Sequence, residues 1–211
     1  MTRTLFLLCL ISQWFCSQKT EYFSDSKTVI KPNQYKLNVS QKNNKTESVV
    51  NFELFKKTGK NWAKLQTANF KKEADFGLFV FTDEDLNNDG YNDVKISFSQ
   101  AGRGSNELNK LLIFNPKTQK LIEIINSQDY PNLHYNSKRN CVNSYSFSGG
   151  NSTYFLKINN NRLQEFARVD FANDSVSSYK ISHEEEILIQ KKPYKSNDAA
   201  VFFSGFDPIE E

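Results

Sequence analysis

"LLIFNPKTQKLIEII", from Leu111 to Ile125, carries the pattern that decides the fold. A short run of large apolar residues meets Asn115-Pro116, a pair that starts turns, and a second apolar run follows. Runs this short, closed by turn residues, read as strand, turn, strand. The plan recurs in "TYFLKINNNRLQEFARV" (Thr153–Val169), which turns at Asn159–Asn161, and in "VVNFELFKKTGKNWAKLQ" (Val49–Gln66), which turns at Thr58-Gly59. "VKISFS" (Val94–Ser99) places Val94, Ile96 and Phe98 on one face, the period of a half-buried strand. No stretch sustains a helical period. Asn106–Leu112 has room for one helical turn, and "SHEEEILIQKK" (Ser182–Lys192) fits a helical start as well as it fits alternation. The expected fold is all-β, built from antiparallel hairpin repeats. Such hairpins must bury their faces on one another, so a propeller-like stack, a meander or a barrel is predicted.

Composition bounds the rest. The chain has 211 residues, 38% hydrophobic and 14% aromatic, enough for one core-forming domain. The net charge is +3 and the basic residues are scattered, which argues against a nucleic-acid partner. The amino terminus, "MTRTLFLLCLI" (Met1–Ile11), has Arg3 ahead of an apolar run too short to span a bilayer. It reads as a secretory signal peptide over residues 1–17, cut near Ser17, with lipidation of Cys16 as the second reading. Residues 18–28 read as a polar tether, 29–206 as one β-rich domain and 207–211 as a tail. Beyond the leader the only cysteine is Cys141, so no intrachain disulfide is available. Its expected role is that of a small buried hydrophobe.

The acidic residues gather in one place. "DEDLNNDGYND" (Asp83–Asp93) holds five acidic side chains among Asn and Gly. Within it Asp85, Asn87 and Asp89 alternate, Gly90 follows, and Asp93 stands at the ninth position. Alternating oxygen ligands followed by a glycine for a sharp turn open a calcium loop, in which the carbonyl of Tyr91 supplies the seventh position. Position twelve is Ile96, not the Glu of an EF-hand, and the flanks "FGLFVF" (Phe76–Phe81) and "VKISFS" read as strands. A strand-loop-strand calcium site closed by Asp93 is expected. A solvated hairpin turn accounts for Asn88 and Gly90 but leaves the ligand spacing unexplained.

The segments "DLNNDGYNDVKISFSQAGRGSNELNKLLIFNPKTQKLIEI" and "YPNLHYNSKRNCVNSYSFSGGNSTYFLKINNNRLQEF" together resemble periplasmic immunity proteins. Members of that family inhibit lysozyme-like effectors of a bacterial-killing type IV secretion system. The resemblance spans residues 76–169. It implies a β-rich, propeller-like fold of FG-GAP type with bound calcium, held by Asp85, Asn87, Asp89, the Tyr91 carbonyl and Asp93.

Other constellations are weaker. His183 beside Glu184–Glu186 lacks a second His, and "GRGSN" (Gly102–Asn106) lacks the Lys-Ser/Thr of a phosphate loop. No serine lies in a nucleophile-elbow context. The resulting expectation is an exported, periplasmic or extracellular, non-enzymatic calcium protein that binds a protein partner. Its most specific form inhibits a lysozyme-like peptidoglycan hydrolase. Arg103 between two glycines, with Tyr130 and His134 in "SQDYPNLHY" (Ser127–Tyr135), are the candidate contacts, because Arg and Tyr are favoured interface anchors. The alternatives are an envelope hydrolase and a surface adhesion or carbohydrate-binding module. Edman sequencing of exported protein is expected to start near Gln18; a start at Met1 or Thr2 excludes the leader, and an acylated Cys16 selects the lipoprotein form.

Overall fold

A computed structural model of the chain describes residues 20–74, 76–182, 185–198 and 200–211. The expected leader and the His183-Glu184 pair lie outside them. Strands β1 (Thr20–Asp25), β2 (Tyr35–Asn43), β3 (Glu47–Thr58) and β4 (Asn61–Glu73) form a first sheet in chain order. A second sheet follows from β5 (Val80–Phe81), β6 (Val94–Ala101), β7 (Asn106–Asn115) and β8 (Lys120–Ile124). The third runs from β9 (His134–Asn136) through β10 (Cys141–Phe147), β11 (Asn151–Asn159), β12 (Arg162–Ala172) and β13 (Ser175–Ser182) to β14 (Glu185–Pro193). A short hairpin of β15 (Gly205–Phe206) and β16 (Ile209–Glu210) ends the chain. The fold is all-β: among the described residues every pairing is antiparallel, each sheet is a sequential meander, and none closes into a barrel.

The hairpins form where turn chemistry allows. β11 and β12 are joined by Asn160 and Asn161, both at positive φ, the backbone that a two-residue hairpin turn demands. Asn173 and Asp174 do the same between β12 and β13. Asparagine tolerates this region because its short side chain bonds locally.

Elsewhere tertiary partners overrule the local pattern. Asn106–Leu112 is strand, not a helical turn, because the Asn106 amide bonds both the N–H and the C=O of Phe147 and holds the start of β7 extended. Of the Ser182–Lys192 stretch, Glu185–Lys192 lies in β14 and not in a helix, since the hydrogen bonds of β13 capture it. Only Val80–Phe81 of the stretch from Phe76 joins a ladder. The Leu78 N–H goes to Glu21 Oε2 and that of Phe79 to Ser97 Oγ instead. Within residues 18–28, read as a tether, Thr20–Asp25 forms β1, and the tail residues Ile209–Glu210 form β16.

The sheets stack as successive layers, and β7 shows why. Its residues Leu111, Leu112, Ile113 and Phe114 are all buried. Leu112 and Phe114 face the first sheet, clustering with its Leu37 and Leu54 and with Val94 of β6. Leu111 and Ile113 point the other way, toward Leu133, Val142 and Leu156 of the third-sheet region. A strand buried on both faces reads as an unbroken apolar run, as this one does. The far side of the third sheet buries Phe155, Val169 and Val176 under Val201, Phe203 and Ile209 of the C-terminal segment.

Side-chain amides join the layers where strands do not pair. Gln66 on β4 bonds the N–H and C=O of Leu121 on β8. Asn126 bonds the N–H and C=O of Leu163 on β12. A side-chain amide sets an N–H donor beside a carbonyl acceptor, as a neighbouring strand would. Asn126→Ala leaves two buried backbone groups of Leu163 unpaired and is expected to cost about 2 kcal/mol or more in urea unfolding. Asn159→Ala, at an exposed strand end, is expected to cost less than about 0.5 kcal/mol in the same experiment.

Candidate functional site

The acidic loop lies where the first two layers meet. Its start is tied outward by Glu84, whose Oε2 accepts from Lys95 Nζ at 2.8 Å and whose Oε1 accepts from the Tyr135 N–H at 2.6 Å. Lys95 Nζ also donates to the Leu133 carbonyl at 2.8 Å. Its end is tied to the first sheet's side, where the Asn92 N–H donates to Ile30 O at 3.0 Å. Leu86 enters the second core and Tyr91 packs on the first, its ring 5.3 Å from that of Phe114.

Between these anchors the loop curls on its own carboxylates. The Asp85 carboxylate accepts from the N–H of Asp89 at 3.1 Å and of Gly90 at 2.7 Å. Asn87 Oδ1 accepts from the Asp89 N–H at 3.2 Å, and Asp89 Oδ1 from the Tyr91 N–H at 3.0 Å. Asn88 and Gly90 take positive φ, at 56° and 84°. A Cβ on Gly90 would meet nothing within 4 Å, so glycine serves the backbone conformation there and not close packing.

Asp93 differs from its neighbours. It is 1% exposed, and its two oxygens accept from the N–H of Leu86 at 2.9 Å and of Phe114 at 3.1 Å. Burial pushes its carboxyl up to about 7; Asp89 and Asp85 add to this, against the pull of the two N–H groups. No ion pair joins Asp85, Asp89 or Asp93 to a basic side chain among the described residues. Nor do three His, Cys, Asp or Glu side chains converge there closely enough to hold a metal by themselves. The oxygen set of the loop suits a hard cation only when Asn87 and the Tyr91 carbonyl are included. A buried carboxylate near two others and with no basic side chain paired to it fits such an ion, because a positive charge would favour its ionised form.

The candidate contact residues are placed differently from one another. Arg103 is exposed at the tip of a short 3-10 turn, Gly102–Gly104, at φ 56° and ψ 36°. Asn132 ties that turn to the segment before β9, donating from Nδ2 to Ser105 O and Tyr145 O, both at 2.9 Å. His134 Nε2 lies 2.8 Å from Tyr145 Oη, and burial lowers its pKa. The Tyr130 ring is instead held edge-on to Tyr154 at 5.8 Å. Arg103 and the Pro131–His134 segment are thus linked through Asn132, whereas the Tyr130 ring packs elsewhere. Cys141 is buried and its thiol is pushed up to about 11 by that burial, the setting of an inert side chain.

Sequence reasoning missed two carboxylates. Glu84 lies inside the acidic run, yet its long-range partners carry no local signal. Asp25 accepts from the N–H groups of Lys27, Thr28 and Val29 and from the hydroxyls of Thr28 and Thr82. Burial raises its pKa, but the bonds from Lys27, Val29 and Thr28 outweigh it and hold it at about 2. The spacing of Asp25 and Thr28 in "SDSKT" was a readable sign of that turn.

No known family matches the chain. No curated protein matches it in sequence. Among solved structures it is similar to one described as "Structure of a Xanthomonas Type IV Secretion System related protein", with 13% identity and a TM-score of 0.53. The match covers 80% of this chain and 93% of that one, so the two share a fold over most of their lengths.

Asp93 ionises near pH 7 when folded, and at about 3.9 when unfolded. The folded state therefore holds the extra proton between those values, and its stability falls as pH rises from about 4 to about 7. Asp93→Asn removes that slope while leaving one buried N–H without an acceptor, at a cost of about 1–3 kcal/mol. Urea unfolding in chelator at both ends of the range is expected to show a smaller pH difference in the variant than in the parent.

Proposed function

We propose that this chain is an exported, non-enzymatic calcium-binding β-protein that acts by binding a protein partner. In the most specific form of this reading, the partner is a lysozyme-like, peptidoglycan-cleaving hydrolase and binding inhibits it. The observation that carries the reading is the loop from Asp85 to Asp93, curled on its own carboxylates and ending on a buried Asp93 that pairs with no basic side chain among the described residues. Asp85, Asn87, Asp89 and the Tyr91 carbonyl would hold the ion, with Asp93 closing the set through its remaining lone pairs. Bound calcium supplies positive charge that offsets the repulsion among these groups. The loop reaches both cores through Leu86 and Tyr91, so a neutralised loop would help hold the first and third layers against the second.

The shared fold with a protein related to a type IV secretion system supports an envelope setting. No helix among the described residues is long and apolar enough to cross a membrane. For the contact surface, Arg103 is the exposed candidate, and a guanidinium suits a cleft lined with catalytic carboxylates.

The two parts of the reading are tested separately. Calorimetry is expected to give a calcium Kd on the order of 10⁻⁴–10⁻³ M, since position twelve lacks a bidentate Glu. At free calcium ten times Kd the fold gains about 1.4 kcal/mol, equivalent to a rise in Tm of about 3–6 °C for a chain of this size. Asp89→Ala should abolish the rise and Asp174→Ala should keep it; no calcium binding at millimolar concentration leaves the run a solvated turn. For the partner, the mature protein is expected to slow peptidoglycan hydrolysis by a lysozyme-like enzyme from its own cell envelope, and to hydrolyse none itself. Arg103→Ala should weaken that inhibition without moving the calcium-dependent Tm. Hydrolysis by the purified protein, lost on changing one acidic residue, would replace inhibition with an enzymatic role.

A further inference from the structure

Among the described residues, the third sheet ends on a strand that is paired along one edge alone. β14 is a nine-residue edge strand paired on one side to β13, and nearly every residue in it is exposed. Ile187, Leu188 and Ile189 are 51%, 53% and 36% exposed. A long apolar edge is a template for another strand unless something blunts it. Here the aliphatic centre is flanked by Glu185 and Glu186 on one side and by Lys191 and Lys192 on the other. An arrangement of this kind is complementary to its own reverse.

We propose that β14 is a homodimer interface, pairing antiparallel with β14 of a second copy about a two-fold axis normal to the sheet, between Leu188 and Ile189. A β-bulge makes this register possible. Across the ladder Ser178 faces Gln190 and Tyr179 faces Leu188, so Ile189 is the extra residue. Opposed residues share a face and consecutive residues in a regular strand alternate. Ser178 and Tyr179 lie on opposite faces, and so therefore do Gln190 and Leu188. The bulge places Glu185, Ile187, Gln190 and Lys192 on one face and Glu186, Leu188 and Lys191 on the other.

In a regular strand, a two-fold of this kind can oppose only residues an even number apart, which would set Glu186 against Gln190. With the bulge, Glu185 meets the second copy's Lys192 on one face and Glu186 meets its Lys191 on the other. Ile187 meets Gln190, and Leu188 and Ile189 meet each other across the axis. Symmetry forms each charge pair twice. The Glu186 carboxylate is already positioned by Arg168 Nη2 at 2.8 Å, and Arg168 is itself held by Glu165 and Asp170. Pro193, which has no N–H, ends the strand where the matched residues end.

Sedimentation velocity of the mature protein from about 1 to about 300 μM is expected to show a concentration-dependent dimer. Glu185→Lys sets Lys against Lys192 twice, and should raise the dimer Kd by about tenfold or more. Lys192→Glu should do the same. The combined variant Glu185→Lys with Lys192→Glu restores both pairs and should return the Kd to within about threefold of the parent. Both sites are exposed, and circular dichroism is expected to show an unchanged fold in every variant. A chain that stays monomeric throughout overturns the proposal; the flanking charges then only keep the edge solvated. So does a dimer indifferent to the single reversals, or a combined variant no better than the singles.

Discussion

The carboxylate of Asp93 is the constraint on which the middle of the molecule depends. It accepts the N–H of Leu86 on its own loop and of Phe114 on β7, and both donors are buried. Phe114 belongs to the first core and Leu86 to the second. One side chain therefore fixes the loop to the strand that both cores share. The cost is a carboxylate removed from water next to Asp85 and Asp89, which explains why its proton is held so firmly. A site with this conflict is one where a cation has most to contribute, because two hydrogen bonds alone do not cancel the burial of a charge.

Around that point the architecture follows from faces that need covering. β7 is apolar on both sides and must lie between layers, so a sheet is stacked on each side of it. Where two layers meet edge to edge, the backbone groups at the joint have no ladder to enter. Gln66, Asn106 and Asn126 enter in place of strands, each bonding the N–H and C=O of one residue. A chain rich in asparagine can afford layered sheets with interrupted pairing, because its amides satisfy buried backbone that would otherwise be left without partners.

The outer end of the stack obeys the same accounting. The last strand of the third sheet has a paired side and an open one, and its charges are ordered so that the open side fits its own copy. The bulge that displaces Ile189 has two effects there. It shifts the register against β13 by one residue, and it brings acidic and basic residues of two copies onto common faces.

Much of this was legible in the amino-acid sequence. Period-two runs such as "VKISFS", the apolar "LLIF", and Asn-Asn at 160–161 specify strands and turns through local sterics and side-chain alternation, which need no distant partner. The spacing of Asp85, Asn87, Asp89, Gly90 and Asp93 likewise marks the loop, because its curl is made by residues two to five apart. The tertiary structure alone decided that Asp93 is buried and bonded to Phe114, that Glu84 reaches Tyr135, and that Asn106 begins a strand. It also decided that residues 20–25 add a strand and not a tether, and that β14 closes the third sheet. For Asp93, Glu84 and Asn106 the deciding partner is remote along the chain, and hydrogen bonding to a remote group leaves no periodicity for local reading to detect; for β14 it is the neighbouring strand β13, and the local pattern fits helix and strand equally well.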